Sequence, residues 1–582
     1  MGGWANGRTH VGPGAARAGG AALSVAVLLT GCGGAAPNTA AAPAWRTPTP
    51  VRTVSAPRAM VVSEHPLSSA VGAAILRRGG NAIDAAVAVG FAQAVVNPAA
   101  GNLGGGGFLL YRQANGEVFA LDYREAAPGS AAADMYIDAG GRVTSASVNG
   151  ALAAGVPGSV AGLEAMHRRF GRLPWREVVL PAVELARGHV LDSTRARWLA
   201  GEADRLARYP SSRAALVRAD RPWRTGDTLR QNDLARTLTI LASEGADAFY
   251  RGPIAAQLVA EMRRSGGLIS RDDLARYRAE WRTPLRTSYR GWEVWTMPPA
   301  SGGGITLLQA LNILEGFTLP RPGSADLAHL QVEALRRAFL DRNALLGDPA
   351  FVAMPVEQLI SKPYAAQQRA GIVRDRATPL EGSPLAEGRH TTHYSIVDSA
   401  GNAASITTTI NTGFGSGLVV GGAGFLLNNE MDDFTTQPGA VNAMGIRHEG
   451  TANAIVPGKR MLSSMTPTIA LDPRGQLALV LGSPGGATII SAVLQVLVHV
   501  IDHGMRLEEA VAAPRLHHNG LPDLVDWEPN GLGAAVRETL RARGHHLAER
   551  PGFMATVNAI RVTPKGLEGV SDPRVPGGAV GW

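Results

Sequence analysis

The chain has one cysteine, Cys32, in 582 residues. That excludes a disulfide framework and any cysteine-based metal cluster. Lysine is nearly as scarce: Lys362, Lys459 and Lys565 are the only three, so arginine carries almost all the positive charge behind a net +8. The arginines are scattered among Asp and Glu, with no basic block and no aromatic–basic interleaving, which argues against a nucleic-acid partner. Metal-ligand spacings are missing, so no metal or organic cofactor is expected. The tetraglycine Gly104–Gly107 has neither the following Lys-Ser/Thr of a phosphate-binding loop nor GxGxxG spacing, and reads as a tight turn into a core strand. What remains is 45% hydrophobic with balanced charge, the composition of a globular chain with a large core.

Arg8 and Arg17 precede an apolar run, Ala21 to Leu29, that is too short to span a bilayer and has the charge order of an export signal. It ends in Leu29-Thr30-Gly31-Cys32, which resembles a bacterial lipobox, with Cys32 lipidated and becoming the first residue. The alternative is an ordinary cleaved signal ending among the neighbouring alanines. Residues 1–31 are thus read as a signal peptide, and 32–57, rich in Ala, Pro and Thr without apolar period, as a tether. The expectation is an exported periplasmic or cell-surface protein held to a membrane by its lipid alone.

From Ala59 the pattern becomes ordered. VVSEHPLSSAVGAAILRRGGNAIDAAVAVGFAQAVV predicts a strand and two helices broken at Gly79-Gly80. GGGGFLLYRQANGEVFALDYRE predicts a β-hairpin turning at Asn115-Gly116. Leu163 to about Arg369 reads as mostly helical. After Thr391 strands dominate, followed by a helix over ATIISAVLQVLVHVIDHG and late short strands. The order is compatible with two domains or with one layered α+β sandwich sharing a sheet.

The run from Arg389 to Phe434 concentrates the chemistry. It opens on Thr391-Thr392, continues as a strand (YSIVD), a turn (SAGN), a second strand (AASITTTIN) and a third (GFLLNN), and ends on Glu430, Asp432 and Asp433. An internal threonine pair is ordinarily a cap or a strand residue. A threonine hydroxyl becomes a competent nucleophile when its own α-amine can take the proton, which requires it to be N-terminal. An α-amine has a reference pKa of ~7.7–8.0, so a usable neutral fraction exists near neutrality. Here the His390–Thr391 bond would first have to be cut.

TTHYSIVD, INTGFGSG, LLNNEMDDF, MLSSMTPT, GSPGG, APRLHH and SDPR follow one another in an order that resembles the γ-glutamyltranspeptidase (glutathione hydrolase) family of N-terminal-nucleophile hydrolases. GNLGGGGFLLYR, LDYREAAP and LDRNALLGDPAF extend the resemblance, which covers about Pro57 to Trp582. It implies an α+β, four-layer αββα sandwich formed jointly by a large subunit, residues 58–390, and a small one, 391–582. It implies that Thr391 is the nucleophile and that Thr409 contacts it. Gly485 and Gly486 would form the oxyanion hole. Arg124 with Ser463 and Ser464 would hold the substrate α-carboxylate, and Asn411, Glu430 and Asp433 its ammonium. Without the resemblance, Arg124 would be read as a surface partner of Glu125 or Asp122.

The implied activity is hydrolysis and transfer of the γ-glutamyl group of glutathione or a similar amide, to water or to an acceptor amine. Relatives acting as cephalosporin acylases accept glutaryl groups and lack the acidic pattern, so Glu430 and Asp433 favour γ-glutamyl; an amide acylase is the alternative enzyme. An unprocessed binding lipoprotein is the alternative outside enzymes. The loop Pro438–Ala454 matches the family's lid, but carries Met444 where bacterial members often have an aromatic residue.

Overall fold

The computed structural model describes residues 52–101, 103–380 and 391–582; Cys32, most of the tether and His390 lie outside them. Two seven-stranded sheets face each other. The first runs, edge to edge, Gly578–Gly581, Met60–Ser63, Thr392–Val397, Ala403–Thr409, Gly106–Arg112, Val118–Asp122 and Glu280–Arg282. The second runs Thr53–Ala56, Gly566–Ser571, Asn558–Thr563, Leu477–Gly482, Thr468–Leu471, Trp292–Thr296 and Leu285–Tyr289. Helices Pro66–Arg77, Ala82–Val96 and Ser159–Phe170 cover the first sheet; Gly302–Glu315 and Thr488–Ile501 cover the second, with Ala325–Leu345 packed on Gly302–Glu315. This is the αββα sandwich that the resemblance implies. Among the described residues no helix is long and apolar enough to cross a membrane.

Local sequence explains the first layer. Gly79, at φ +94°, ends one helix. Asn81 caps the next by accepting from the Ile83 and Asp84 N–H groups, and Asp84 bonds back to the Asn81 N–H. All fifteen residues of Ala82–Val96 are buried, as a helix apolar on every side must be.

Both faces of the central strands are covered, so Thr392–Val397 and Ala403–Thr409 are buried throughout. Tyr394, Ile396, Ala404 and Ile406 join the helical layer. The alternate positions meet the opposite sheet: Val397 and Ala403 join its apolar core, whereas His393, Ser395, Ser405 and Thr407 are polar. Ser405 Oγ donates to the Leu481 carbonyl at 2.9 Å and Ser395 Oγ to the Asn558 carbonyl at 3.0 Å. With its proton so used, Ser395 Oγ accepts from His393 Nε2 at 3.1 Å, and His393 Nδ1 accepts from Thr407 Oγ1 at 2.9 Å. Burial holds the imidazole neutral, its pKa pushed down to about 3. Gly482 makes room for the ring: a Cβ there would lie 2.3 Å from it.

The predicted hairpins at Asn115-Gly116 and at SAGN are present. Leu163 to about Arg369 is mostly helical as expected, interrupted by the strands Glu280–Arg282, Leu285–Tyr289 and Trp292–Thr296, the last two turning on Arg290 (φ +52°) and Gly291 (φ +81°). Two expectations need correction. GFLLNN is not a strand, because Leu426 and Leu427 make only single bridges to Val419 and Gly104. There Gly104 packs so tightly that a Cβ would sit 2.1 Å from the Leu426 carbonyl oxygen. Thr53–Ala56, inside the region read as tether, is an edge strand paired with Gly566–Ser571.

Residues before 390 and after 391 alternate within both sheets: Thr392–Val397 lies between Met60–Ser63 and Ala403–Thr409, and Thr468–Leu471 between Trp292–Thr296 and Leu477–Gly482. A cut between 390 and 391 would leave these ladders intact.

Candidate active site

Thr391 stands where the chain enters the central strand Thr392–Val397 and is 6% exposed. It borders two cavities. One brings together Arg124, Thr409, Asn411, Glu430, Asp433, Ser463, Ser464 and Gly486, with Met444 from the loop above. Gly485 faces the other. Every predicted site residue within the described part of the chain therefore lies at one or other of these cavities.

Thr409 closes the neighbouring strand, and its hydroxyl accepts from the Asn411 N–H at 2.7 Å. That turn needs Asn411 at φ +75°, a left-handed conformation asparagine tolerates better than most residues. The Asn411 amide nitrogen donates to the Asn429 carbonyl at 2.9 Å, so its amide oxygen is the atom available to a ligand.

Gly485 and Gly486 adopt φ +136° and +59°. Among the described residues neither N–H donates to a protein acceptor. The loop is pinned by Thr488 Oγ1, 2.7 Å from the Gly485 carbonyl oxygen and 2.6 Å from that of Met554. It opens the fourteen-residue helix Thr488–Ile501, whose N-terminal dipole adds positive potential to two free donors. Such preorganised donors stabilise a developing oxyanion.

The floor of the first cavity is an ionic cluster. Arg124 is fully buried, not a surface residue: Nη1 lies 2.6 Å from Glu430 and 3.4 Å from Glu125, Nη2 contacts Asp433, and Nε donates to the Met461 carbonyl at 3.2 Å. Neither Glu430 carboxyl oxygen accepts an aligned hydrogen bond, so the close Arg124 approach is an ion pair without hydrogen-bond alignment. Burial, reinforced by Glu125 and Asp433, pushes the Glu430 carboxyl well up in spite of Arg124. Burial likewise pushes Glu125 up to about 7. Three carboxyls around one guanidinium form a site short of positive charge, into which a cationic group would fit.

The loop over this cavity is tied down. Ala443 N–H donates to Asp432 Oδ2 at 2.8 Å, Asn519 Nδ2 to the Gly445 carbonyl at 2.9 Å, and Asn453 Nδ2 to the Asp433 carbonyl at 2.6 Å. Met444, 4% exposed, occupies the roof.

Two residues of this site escaped the sequence reading. Glu125, which the sequence offers only as an alternative partner for Arg124, is fully buried beside it. Arg342 lies inside the quoted LDRNALLGDPAF but was not singled out; it is buried and donates to Ser464 Oγ at 2.8 Å, orienting that hydroxyl. Burial pushes its pKa down to about 10. Elsewhere His329, Glu333 and His545 place possible metal-ligand atoms within 4.8 Å of one another, a grouping the sequence separation hides. Their atoms are already engaged: His329 Nδ1 lies 2.8 Å from His545 Nε2, and Glu333 binds Arg337 and Thr378.

The chain is 45% identical over 532 residues to the glutathione hydrolase proenzyme of Escherichia coli (strain K12), covering 90% of this chain and 91% of that protein. It is 41% identical over 523 residues to the acylase ACY 1 proenzyme of Pseudomonas sp. (strain SE83), covering 88% and 90%. Its fold matches the crystal structure of cephalosporin acylase from Bacillus halodurans with a TM-score of 0.82 at 29% identity, over 94% of this chain and 99% of that one. The sequence model of the gamma-glutamyltranspeptidase family matches residues 68–582. With Thr391, the Gly485-Gly486 loop and the ionic cluster assembled on this fold, the chain belongs to the gamma-glutamyltranspeptidase family of enzymes.

Proposed function

We propose that the protein cuts itself between His390 and Thr391 and then transfers γ-glutamyl groups from glutathione or related amides to water or an acceptor amine. The observation that carries this reading is the union of Thr391 with an acid-rich cavity holding one carboxylate-binding arginine. The name "proenzyme" borne by the Escherichia coli relative supports the cleavage step.

In the precursor the Thr391 hydroxyl attacks the His390 carbonyl, the peptide shifts to an ester, and water releases the new N-terminus. In the mature protein the freed α-amine takes the Thr391 hydroxyl proton as Oγ attacks the γ-carbonyl. The Gly485 and Gly486 N–H groups receive the oxyanion. Collapse breaks the C–N bond, the leaving amine takes the proton, and a γ-glutamyl-Thr391 ester remains for water or an amine to resolve. Arg124, Ser463 and Ser464 hold the α-carboxylate; Glu430, Asp433 and the Asn411 amide oxygen hold the ammonium.

The likeness to acylases supports a second reading, turnover of glutaryl amides. The cluster weighs against it, because a glutaryl group brings no ammonium to the buried carboxyls. A denaturing gel of purified protein should show two fragments meeting at 390/391, with γ-glutamyl p-nitroanilide turned over faster than its glutaryl analogue. A single full-length band without turnover sinks the enzyme reading; faster glutaryl turnover selects the acylase. The chain is further proposed to be exported and anchored through a lipid on Cys32, supported by Arg8, Arg17 and the Leu29–Cys32 sequence. Intact mass of the membrane fraction tests this.

A further inference from the structure

We propose that the buried ion pair between Asp122 and Arg460 sets the spacing between Arg124 and the Ser463–Ser464 hydroxyls, and that Asp122, Arg460 and Tyr277 are positioning residues for the substrate α-carboxylate. The inference rests on the carboxylate role proposed for Arg124 and extends it to residues outside the site. None of the three borders either cavity beside Thr391.

The pair joins the two segments that carry the site. Asp122 closes the strand Val118–Asp122 just before Arg124, and Arg460 shortly precedes Ser463. Arg460 Nη1 lies 2.8 Å from Asp122 Oδ2, with side-chain exposures of 6% and 0%. The other Asp122 oxygen accepts the Arg124 N–H at 3.0 Å, and the buried Tyr277 hydroxyl donates to the Arg124 carbonyl at 2.8 Å. Both peptide groups of Arg124 are thus held. The serine segment is tied to the same frame. Arg460 Nη2 donates to the Arg278 carbonyl at 2.6 Å, the Arg460 N–H to Asp348 Oδ2 at 2.8 Å, and the Ala127 N–H to the Lys459 carbonyl at 2.8 Å.

Burial works to raise the Asp122 carboxyl, but Arg460 and Arg282 together hold it below its ordinary value, so the pair is ionic. A buried pair of this kind is costly to break, because the remaining charge is stranded. Its two members come from opposite sides of the 390/391 bond, so after the proposed cut only lateral contacts set their spacing. That spacing matters chemically. A carboxylate shared between a planar guanidinium and two hydroxyls tolerates little error in their relative placement, and a displacement of ~1 Å costs on the order of a hundredfold in rate.

The test compares γ-glutamyl p-nitroanilide with 4-aminobutyryl p-nitroanilide, which lacks only the α-carboxylate. The ratio of their kcat/KM values is independent of how much enzyme folds or matures. Wild type should prefer the γ-glutamyl compound. Arg460→Met should lower that preference by ~10- to 100-fold, chiefly through a raised KM for the γ-glutamyl compound. Arg460→Lys keeps the charge and should recover part of it. Tyr277→Phe keeps the ring, deletes one hydrogen bond and decides the matter if Arg460→Met does not fold; it should lower the preference by about 2- to 10-fold. A preference equal to that of wild type in these variants, including an equal loss on both substrates, marks a purely structural role and overturns the assignment. A wild type without preference defeats the carboxylate role of Arg124, and the positioning role with it, before any variant is compared.

Discussion

Arg124 Nη1 and Glu430 Oε2 lie 2.6 Å apart at the floor of the cavity, with side-chain exposures of 1% and 0%. The pair is close enough for strong attraction, yet the Glu430 oxygens take no aligned hydrogen bond and retain lone pairs for a ligand. The guanidinium thus holds three acids together, and under the proposed function it also receives the substrate carboxylate. Arg124→Ala should lower kcat/KM for γ-glutamyl p-nitroanilide on the order of a thousandfold, equivalent to ~4 kcal/mol for breaking a buried pair. Arg124→Lys keeps the charge without the planar fork and should lose less. Near-normal kinetics in Arg124→Ala would remove this residue from the binding site.

Thr391→Ala should remain one chain on a denaturing gel and show no turnover, because under the proposed mechanism both reactions use the same hydroxyl. Native size should not separate processed wild type from the variant, since the sheets interleave residues from both sides of the cut. Two bands in Thr391→Ala would place the cleavage chemistry elsewhere.

Asp433 contacts Arg124 at the cavity rim, where its side chain is 13% exposed. Asp433→Asn removes an acid that a ligand ammonium would pair and a glutaryl group would leave unpaired. The ratio of glutaryl to γ-glutamyl kcat/KM should rise about 10- to 100-fold, as ~1–3 kcal/mol of discrimination is lost. Parallel assays of the two p-nitroanilides measure it, and an unmoved ratio counts against Asp433 as the selector.

Gly482→Ala should lower the melting temperature without abolishing secondary structure. The new methyl would lie 2.3 Å from a ring fixed by Ser395 and Thr407, and overpacking of this kind costs ~1–3 kcal/mol. Thermal unfolding by circular dichroism checks it; a melting temperature equal to wild type would mean the sheets can separate freely here.

Features set by neighbours in sequence were legible, and those set by distant packing were not. Asn115-Gly116 announces its hairpin because two residues determine the turn. The glycines of GSPGG and the acids of LLNNEMDDF were located by resemblance, since either motif alone reads as a turn or a solvated loop. Glu125 has no local signature of burial, because strand alternation lapses after Asp122, which lets Arg124 and Glu125 both turn inward. Arg342, on the helix Ala325–Leu345, reaches Ser464 across 122 residues, a contact without local signature. The strands within residues 280–296 were hidden by Arg and Glu on their outward positions and by Pro284 between two of them.

Asp432 latches the loop above the cavity: Oδ2 accepts the Ala443 N–H at 2.8 Å and Oδ1 the Ser147 hydroxyl at 2.7 Å. Burial pushes its carboxyl from 3.8 up to about 6. Between about pH 4 and 6 the folded protein therefore holds a proton that the unfolded chain has released, and stability falls as pH rises through that window. Below it both states are protonated and the contribution is complete; above it both are ionised and the loss levels off. The full difference is on the order of 3 kcal/mol. Asp432→Asn has no proton to release, and its amide oxygen can still accept from Ala443. The melting temperature of wild type minus that of Asp432→Asn, compared at matched pH, should decline from pH 4 to 6 and then stay level. A flat difference across the window would show that Asp432 ionises in the folded protein as it does in water, and one that rises with pH that folding lowers its pKa; either overturns the assignment.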